Sequence, residues 1–175
     1  MKNKTIILGG GCFWCTEAVF QMIKGVESVA PGYAGGEIDN PTYQQVSSGQ
    51  TGHIEVVKIE YNPEILELKD LFEIFFAMHD PTSMDKQGHD AGPQYHSIIF
   101  WTEDDQRQQA ENFIEAKQLK DEIKIVTEVR RLIKFYPAED YHQNYYKNNT
   151  TKPYCILNIA PKIRKVEAQF GDSLE

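Results

Sequence analysis

The spacing of apolar and polar positions switches repeatedly between a period of two and a helical period, and the switches mark out the elements. Residues 5–8 are a short apolar run that predicts a strand. Ala18, Val19, Met22 and Ile23 then share one face of a helix predicted from residue 16 or 17 to 24, which Gly25 stops. A second strand is predicted over 26–33 and a third over 53–61. Between them, residues 34–52 are rich in Gly, Asn, Pro, Ser and Thr and long for a connection, which reads as a functional loop. Beyond the turn at Asn62-Pro63, Leu68, Leu71, Phe72, Phe75 and Phe76 trace one buried face of a helix that Pro81 ends. A second long loop, 80–94, leads to a strand over 96–101, and Thr102 with Asp105 reads as the cap of a helix to residue 120. Residues 124–132 alternate as a strand, and Pro137 opens a short helix through 146. Residues 153–159 read as extended, and the charged tail beyond Pro161 as a surface helix stopped by Gly171.

The first six elements run β-α-β-β-α-β. That order predicts an α+β fold, a two-layer sandwich with a ferredoxin-like core followed by an irregular C-terminal extension. Without linker, repeat or low-complexity run, residues 1–175 are expected to form one catalytic domain, with 150–175 a mobile segment carrying Cys155. At 175 residues and 41% hydrophobic content, such a domain buries a core without disulfides. The 26 acidic and 18 basic residues give a net charge of −8, which argues against a nucleic-acid partner. The apolar run after Lys2 and Lys4 is too short for a signal peptide, and no stretch is long enough to span a membrane. A cytoplasmic monomer is therefore expected, in which three cysteines point to chemistry or simple burial before structural bridges.

Chemistry concentrates at Gly9-Gly10-Gly11-Cys12-Phe13-Trp14-Cys15. A strand followed by a glycine turn places Cys12 at a helix start, where free N–H groups and the helix dipole favour a thiolate. Two large aromatics directly after it would expose much apolar surface unless they line a pocket. Cys12 is thus a candidate nucleophile, and the alternative is a buried structural cysteine with core aromatics. Strand parity places Glu55 on the face of Val57, Ile59 and Tyr61, where desolvation would hold a proton on its carboxyl, as a general acid requires. A strand-end glutamate facing solvent is the other reading. Tyr43, Asp90 and Tyr95 in the two long loops are candidates for holding a ligand oxygen, and each is also an ordinary turn or packing residue. His79, His89 and His142 show no metal-ligand spacing, and no metal or organic cofactor is expected. The cluster Tyr141, Tyr145 and Tyr146 reads as packing.

Seven blocks carry a resemblance. Gly11-Cys12-Phe13-Trp14, Gly32-Tyr33-Ala34-Gly35-Gly36, Asn40-Pro41-Thr42-Tyr43, Ser48 to Glu55, His79-Asp80-Pro81, Gln94-Tyr95 and Glu139-Asp140-Tyr141-His142-Gln143 together resemble the A-type peptide methionine sulfoxide reductases. The resemblance implies Cys12 as nucleophile, Phe13 and Trp14 around the substrate methyl group, and Glu55, Tyr43 and Tyr95 on the sulfoxide oxygen. It aligns Asp90 with the family's loop aspartate and Cys155 with a resolving cysteine. It further implies S-epimer methionine sulfoxide, free or in oxidised proteins and peptides, as substrate, and thioredoxin or a similar dithiol as reductant. Cys15 stands where many members have glycine, and His96 replaces a common arginine. Cys155 is expected to resolve Cys12 first, with Cys15 taking the disulfide in a second exchange or serving only as a small buried residue. Two readings compete: a thioredoxin-like CxxC oxidoreductase built on Cys12 to Cys15, and a non-enzymatic ferredoxin-like module.

Overall fold

The computed structural model describes residues 2–175. In chain order the elements are β1 (Lys4–Gly9), α1 (Phe13–Phe20), β2 (Val26–Ala34), α2 (Tyr43–Ser47), β3 (Ile54–Tyr61) and α3 (Leu68–Met78). A two-residue hairpin follows, β4 (Lys86–Gln87) and β5 (Asp90–Ala91), then β6 (Ile98–Trp101), α4 (Asp104–Asp121), β7 (Glu128–Arg131), β8 (Phe135–Pro137) and α5 (Tyr145–Asn148). A π-helical turn, Cys155–Ile159, runs into α6 (Ala160–Phe170).

Six strands form one mixed sheet in the order β7-β6-β1-β3-β2-β8, antiparallel throughout except for the parallel pair β6 and β7. Alternation sorts its side chains. Ile6, Leu8, Val57, Ile59 and Ile99 enter the larger core with α1 and α3, whereas Ile7, Ile54, Val56, Ile98 and Phe100 form a smaller cluster on the opposite face. The fully buried Leu71, Phe72 and Phe75 of α3 face that larger core, as their spacing predicts, each contributing on the order of 2–3 kcal/mol by burial.

Several boundaries differ from the sequence reading. The first helix begins at Phe13, because Cys12 is already its extended N-cap residue, and ends at Phe20. The loop 34–52 contains α2, whose Thr42 and Gln45 make a reciprocal capping box. Helix α4 is capped by Glu103 with Gln106, not by Thr102 with Asp105. Pro137 closes the edge strand β8, opposite Gly32, and does not open a helix; the turns after it are a 3-10 turn at Asp140–His142 and the four-residue α5. Residues 153–159 are helical, not extended, since Cys155 and Ile159 are both fully buried at i, i+4 spacing.

The C-terminal segment is attached beside α1 at its far end. Ile23 and Leu174 form an antiparallel bridge, the Lys24 N–H donates to the Ser173 carbonyl at 2.9 Å, and the Glu175 N–H donates to the Met22 carbonyl at 3.0 Å.

Candidate active site

The glycine turn places Cys12 by close packing. A Cβ on Gly10 would come within 3.0 Å of Phe75 and His79 ring atoms, and Gly11 has φ +93° with the Gln87 side chain 2.9 Å from where its Cβ would lie. His79 is itself held, its ring nitrogens bonded to the Phe75 carbonyl at 2.5 Å and the Ser97 hydroxyl at 2.8 Å. Gly11→Ala is expected to destabilise the fold by about 1–3 kcal/mol and to slow alkylation of Cys12, both measurable by urea titration and thiol kinetics.

Cys12 is 6% exposed, and its carbonyl accepts the Cys15 N–H at 3.2 Å. Burial raises its thiol well above the ordinary range, reinforced by the Cys15 sulfur hydrogen-bonded to it and by Glu55, while the Tyr154 hydroxyl opposes the shift. Burial thus outweighs the helix-start effect that favours a thiolate. The same sulfur hydrogen bond pulls Cys15 down to about 7 against its own burial. The two thiols therefore ionise as a pair that shares one negative charge. Cys155 is fully buried, raised by burial and then by the charge of Cys15. All three cysteines are free thiols.

Glu55 is 2% exposed on the core face, as its parity predicts, opposite Tyr33 in the β2 to β3 register. Its Oε1 accepts the Phe13 N–H at 3.3 Å, directly beside Cys12. Burial pushes the carboxyl from 4.5 up to about 8, with the negative charges of Asp90 and Cys15 adding to the shift and the Phe13 N–H opposing it. It is thus protonated at neutral pH. Tyr43 and Tyr95 are half-buried, and their phenols are raised first by burial and then by the charge of Glu55. Both remain neutral hydrogen-bond donors within electrostatic reach of that carboxyl.

Asp90 accepts from the Tyr154 hydroxyl at 2.7 Å, which ties the residue before Cys155 to the second loop. Trp14 is half-buried, stacked on Tyr145 at 3.7 Å and 6°, and its indole N–H donates to His142 Nδ1 at 2.9 Å. Phe13 packs at 5.7 Å from Tyr33 and 5.0 Å from His142. Glu139 gathers this wall: its carboxylate accepts from the Tyr33 hydroxyl at 2.9 Å and the Tyr43 N–H at 3.0 Å. Burial opposes its ionisation, but hydrogen bonds from backbone N–H groups and Tyr33 prevail and hold it below 4.5.

All nine sequence candidates, Cys12, Phe13, Trp14, Cys15, Tyr43, Glu55, Asp90, Tyr95 and Cys155, fall into this one neighbourhood through direct contacts or shared electrostatics. Glu17, Glu139, His142, Tyr145 and Tyr154 join it without having been singled out for chemistry. Of these, Glu139 and His142 carry a sequence signal, the Glu139 to Gln143 block. His142 serves as acceptor for Trp14, and His79 is committed to Phe75 and Ser97. His96, in the place of the common arginine, bridges Asp85 at 2.7 Å and Glu128 at 3.1 Å. Among the described residues no group of three or more His, Cys, Asp or Glu side chains is disposed to hold a metal ion.

A buried thiol, a protonated carboxyl beside it and two further thiols are the equipment of a cysteine-dependent oxidoreductase. The family model described as Peptide methionine sulfoxide reductase matches residues 4–174. Peptide methionine sulfoxide reductase MsrA of Chromobacterium violaceum is 50% identical over 172 residues, covering 97% of each chain. Among solved structures, Mxr1 from Saccharomyces cerevisiae in reduced form superposes with a TM-score of 0.81 at 36% identity, covering 88% of this chain and 90% of that one. The same protein in complex with Trx2 superposes with a TM-score of 0.58 at 29% identity, covering 82% of this chain and 85% of that one. The chain belongs to the peptide methionine sulfoxide reductase family. That membership displaces the thioredoxin-like alternative, whose fold places more than the single strand β1 before its CxxC.

Proposed function

We propose that this enzyme, which reduces methionine sulfoxide to methionine, does so with Cys12 as nucleophile and Glu55 as general acid. One observation carries the assignment: a buried, protonated carboxyl bonded to the N–H of the residue after the cysteine. The Cys12 proton passes along the sulfur hydrogen bond to Cys15. Cys12 sulfur then attacks the sulfoxide sulfur and forms an S–S bond, the Glu55 proton goes to the oxygen, and the S–O bond breaks. The hydroxyl then adds to the Cys12 sulfur as the S–S bond breaks and its electron pair goes to methionine. The sulfoxide gains two electrons and leaves as methionine; Cys12 loses two and becomes sulfenic acid. Tyr43 and Tyr95 donate hydrogen bonds to the oxygen as it gains charge. Phe13 and Trp14 hold the methyl group, and Asp90 orients Tyr154 at the rim. The S epimer, in proteins, in peptides or free, is the substrate we assign.

Proximity sets the order of resolution. Cys15 touches Cys12, and its charge is felt at Cys155. The Cys15 thiol therefore condenses first with the sulfenic acid, releasing water. Cys155 then attacks Cys15, which frees Cys12 and leaves a Cys15 to Cys155 disulfide. This reverses the order expected from sequence. An external dithiol reduces the final disulfide, and the solved complex of Mxr1 with Trx2 supports a thioredoxin-type reductant. Cys155 is buried here, so the stretch that carries it, within 150–175, has to move for that exchange; the better match to reduced Mxr1 than to its Trx2 complex supports such a motion. We read the chain as one catalytic domain with β1-α1-β2-β3-α3-β6 as a ferredoxin-like core, supported by the antiparallel order β6-β1-β3-β2. Three free thiols support a cytoplasmic setting. Among the described residues no helix is long and apolar enough to cross a membrane.

The test adds S-epimer methionine sulfoxide to the reduced protein without external reductant and follows methionine and disulfides by mass spectrometry. About one methionine per chain with Cys12 bridged to Cys15, then a second as Cys15 joins Cys155 and frees Cys12, is the expected course. No methionine and three intact thiols would sink the assignment. A first disulfide joining Cys12 to Cys155 would restore the sequence-based order.

A further inference from the structure

Glu17 is a buried carboxylate that the reaction does not use. It lies three residues after Trp14, on the same side of α1, and is 1% exposed. Its Oε1 accepts the Asn144 N–H at 2.6 Å and its Oε2 the Tyr145 N–H at 3.4 Å. The Gln21 amide, one turn further along, bonds both to Glu17 at 3.4 Å and to the Asn144 side chain at 2.8 Å. Asn144 has φ +55°, a left-handed conformation that leaves these N–H groups facing α1. Directly after it comes Tyr145, whose ring lies flat on the Trp14 indole, with Lys152 Nζ 5.4 Å from that ring's centroid. Tyr154 meets the indole edge-on at 5.6 Å, but the stacked ring of Tyr145 and the hydrogen bond to His142 Nδ1 both belong to the short stretch that Glu17 holds. A buried carboxylate is costly to keep unless its hydrogen bonds fix something, and these bonds fix backbone.

We propose that Glu17 is a positioning residue for substrate binding, which sets the Trp14 indole through the backbone of Asn144 and Tyr145. The proposal rests on Trp14 forming the methyl-binding wall. Burial pushes the Glu17 carboxyl up to about 7, opposed by the same two N–H donors, so the site keeps the residue in spite of its desolvation. An amide at this position retains an oxygen that accepts from the backbone, whereas alanine leaves both N–H groups without a partner.

The experiment compares Glu17→Ala, Glu17→Gln and Trp14→Ala with the parent enzyme, and Glu17→Ala with and without Trp14→Ala. Steady-state kinetics on S-epimer methionine sulfoxide and the alkylation rate of Cys12 are measured for each. Acrylamide quenching of Trp14 is read in a Trp101→Phe background. Glu17→Ala is expected to raise KM about tenfold with a much smaller fall in kcat. Trp14 quenching rises, Cys12 alkylation stays near the parent rate, and Glu17→Gln recovers most of the KM. In the Trp14→Ala background the alanine at 17 adds no further KM effect. An unchanged KM in Glu17→Ala, or an equal rise in KM with Trp14 already removed, overturns the proposal. If Trp14→Ala itself leaves KM unchanged, the methyl-wall reading fails first and takes the proposal with it. Glu17→Gln, which keeps one acceptor oxygen for the backbone N–H groups and the same side-chain volume, separates these outcomes from a failure to fold.

Discussion

Cys12→Ser is expected to release no methionine from methionine sulfoxide, with or without a dithiol, while the protein remains folded. A serine hydroxyl is a far weaker nucleophile toward sulfur and has no sulfenic acid to form, so both the first step and the electron transfer disappear. The fold offers a built-in control. Cys12 is the N-cap of α1 but its side chain makes no capping bond, and serine is among the preferred residues at that position. The variant is therefore expected to match or exceed the parent in stability, by up to about 1 kcal/mol. Urea unfolding alongside the methionine assay separates lost chemistry from lost structure. Methionine release from Cys12→Ser at the parent rate would transfer the nucleophile to Cys15 and undo the assignment.

Glu55→Gln should slow the reductive step by about 10²–10⁴, the usual size of a general-acid contribution. The amide keeps the shape and can still accept the Phe13 N–H, but it has no acidic proton for the departing oxygen. In the parent enzyme, the rate of methionine release should fall as pH rises through about 8, and this descending limb should be missing in the variant. Stability has its own pH dependence. Because burial raises the folded pKa above the unfolded 4.5, Glu55 favours the folded state fully below 4.5, and that contribution is lost as pH rises through about 8. At pH values above that range Glu55→Gln should be the more stable protein, by a margin of a few kcal/mol. A parent rate that stays flat to pH 10 together with an active Glu55→Gln would remove the carboxyl from the mechanism.

Local pattern carried the sequence reading where one period dominated. The α3 stripe and the parity of β3, with Glu55 inward, are both visible because a single face of each element is buried. Residues 153–159 defeated the same logic: Cys155, Ile156, Leu157 and Ile159 look like a strand run, and only packing shows that Cys155 and Ile159 turn inward while Ile156 and Leu157 stay exposed. Helix α2 was legible in principle from Thr42 and Gln45, whose capping box lies inside a loop-like composition. Glu17 and Tyr145 were out of reach, because their roles depend on contacts between residues 127 or more positions apart. The protonation of the Cys12 and Cys15 pair was equally hidden, since burial set against a shared hydrogen bond is a tertiary property.

The bridge between Ile23 and Leu174 bears on how the enzyme resets. With Tyr154 bonded to Asp90 at one end and Leu174 held at the other, the stretch bearing Cys155 is a closed loop and not a free tail. Closure limits the volume it explores, so Cys155 keeps a high effective concentration near Cys15 even when displaced. In the proposed mechanism each return after reduction is then a first-order event that does not depend on protein concentration, and dilution should slow the encounter with the reductant without slowing the internal exchange.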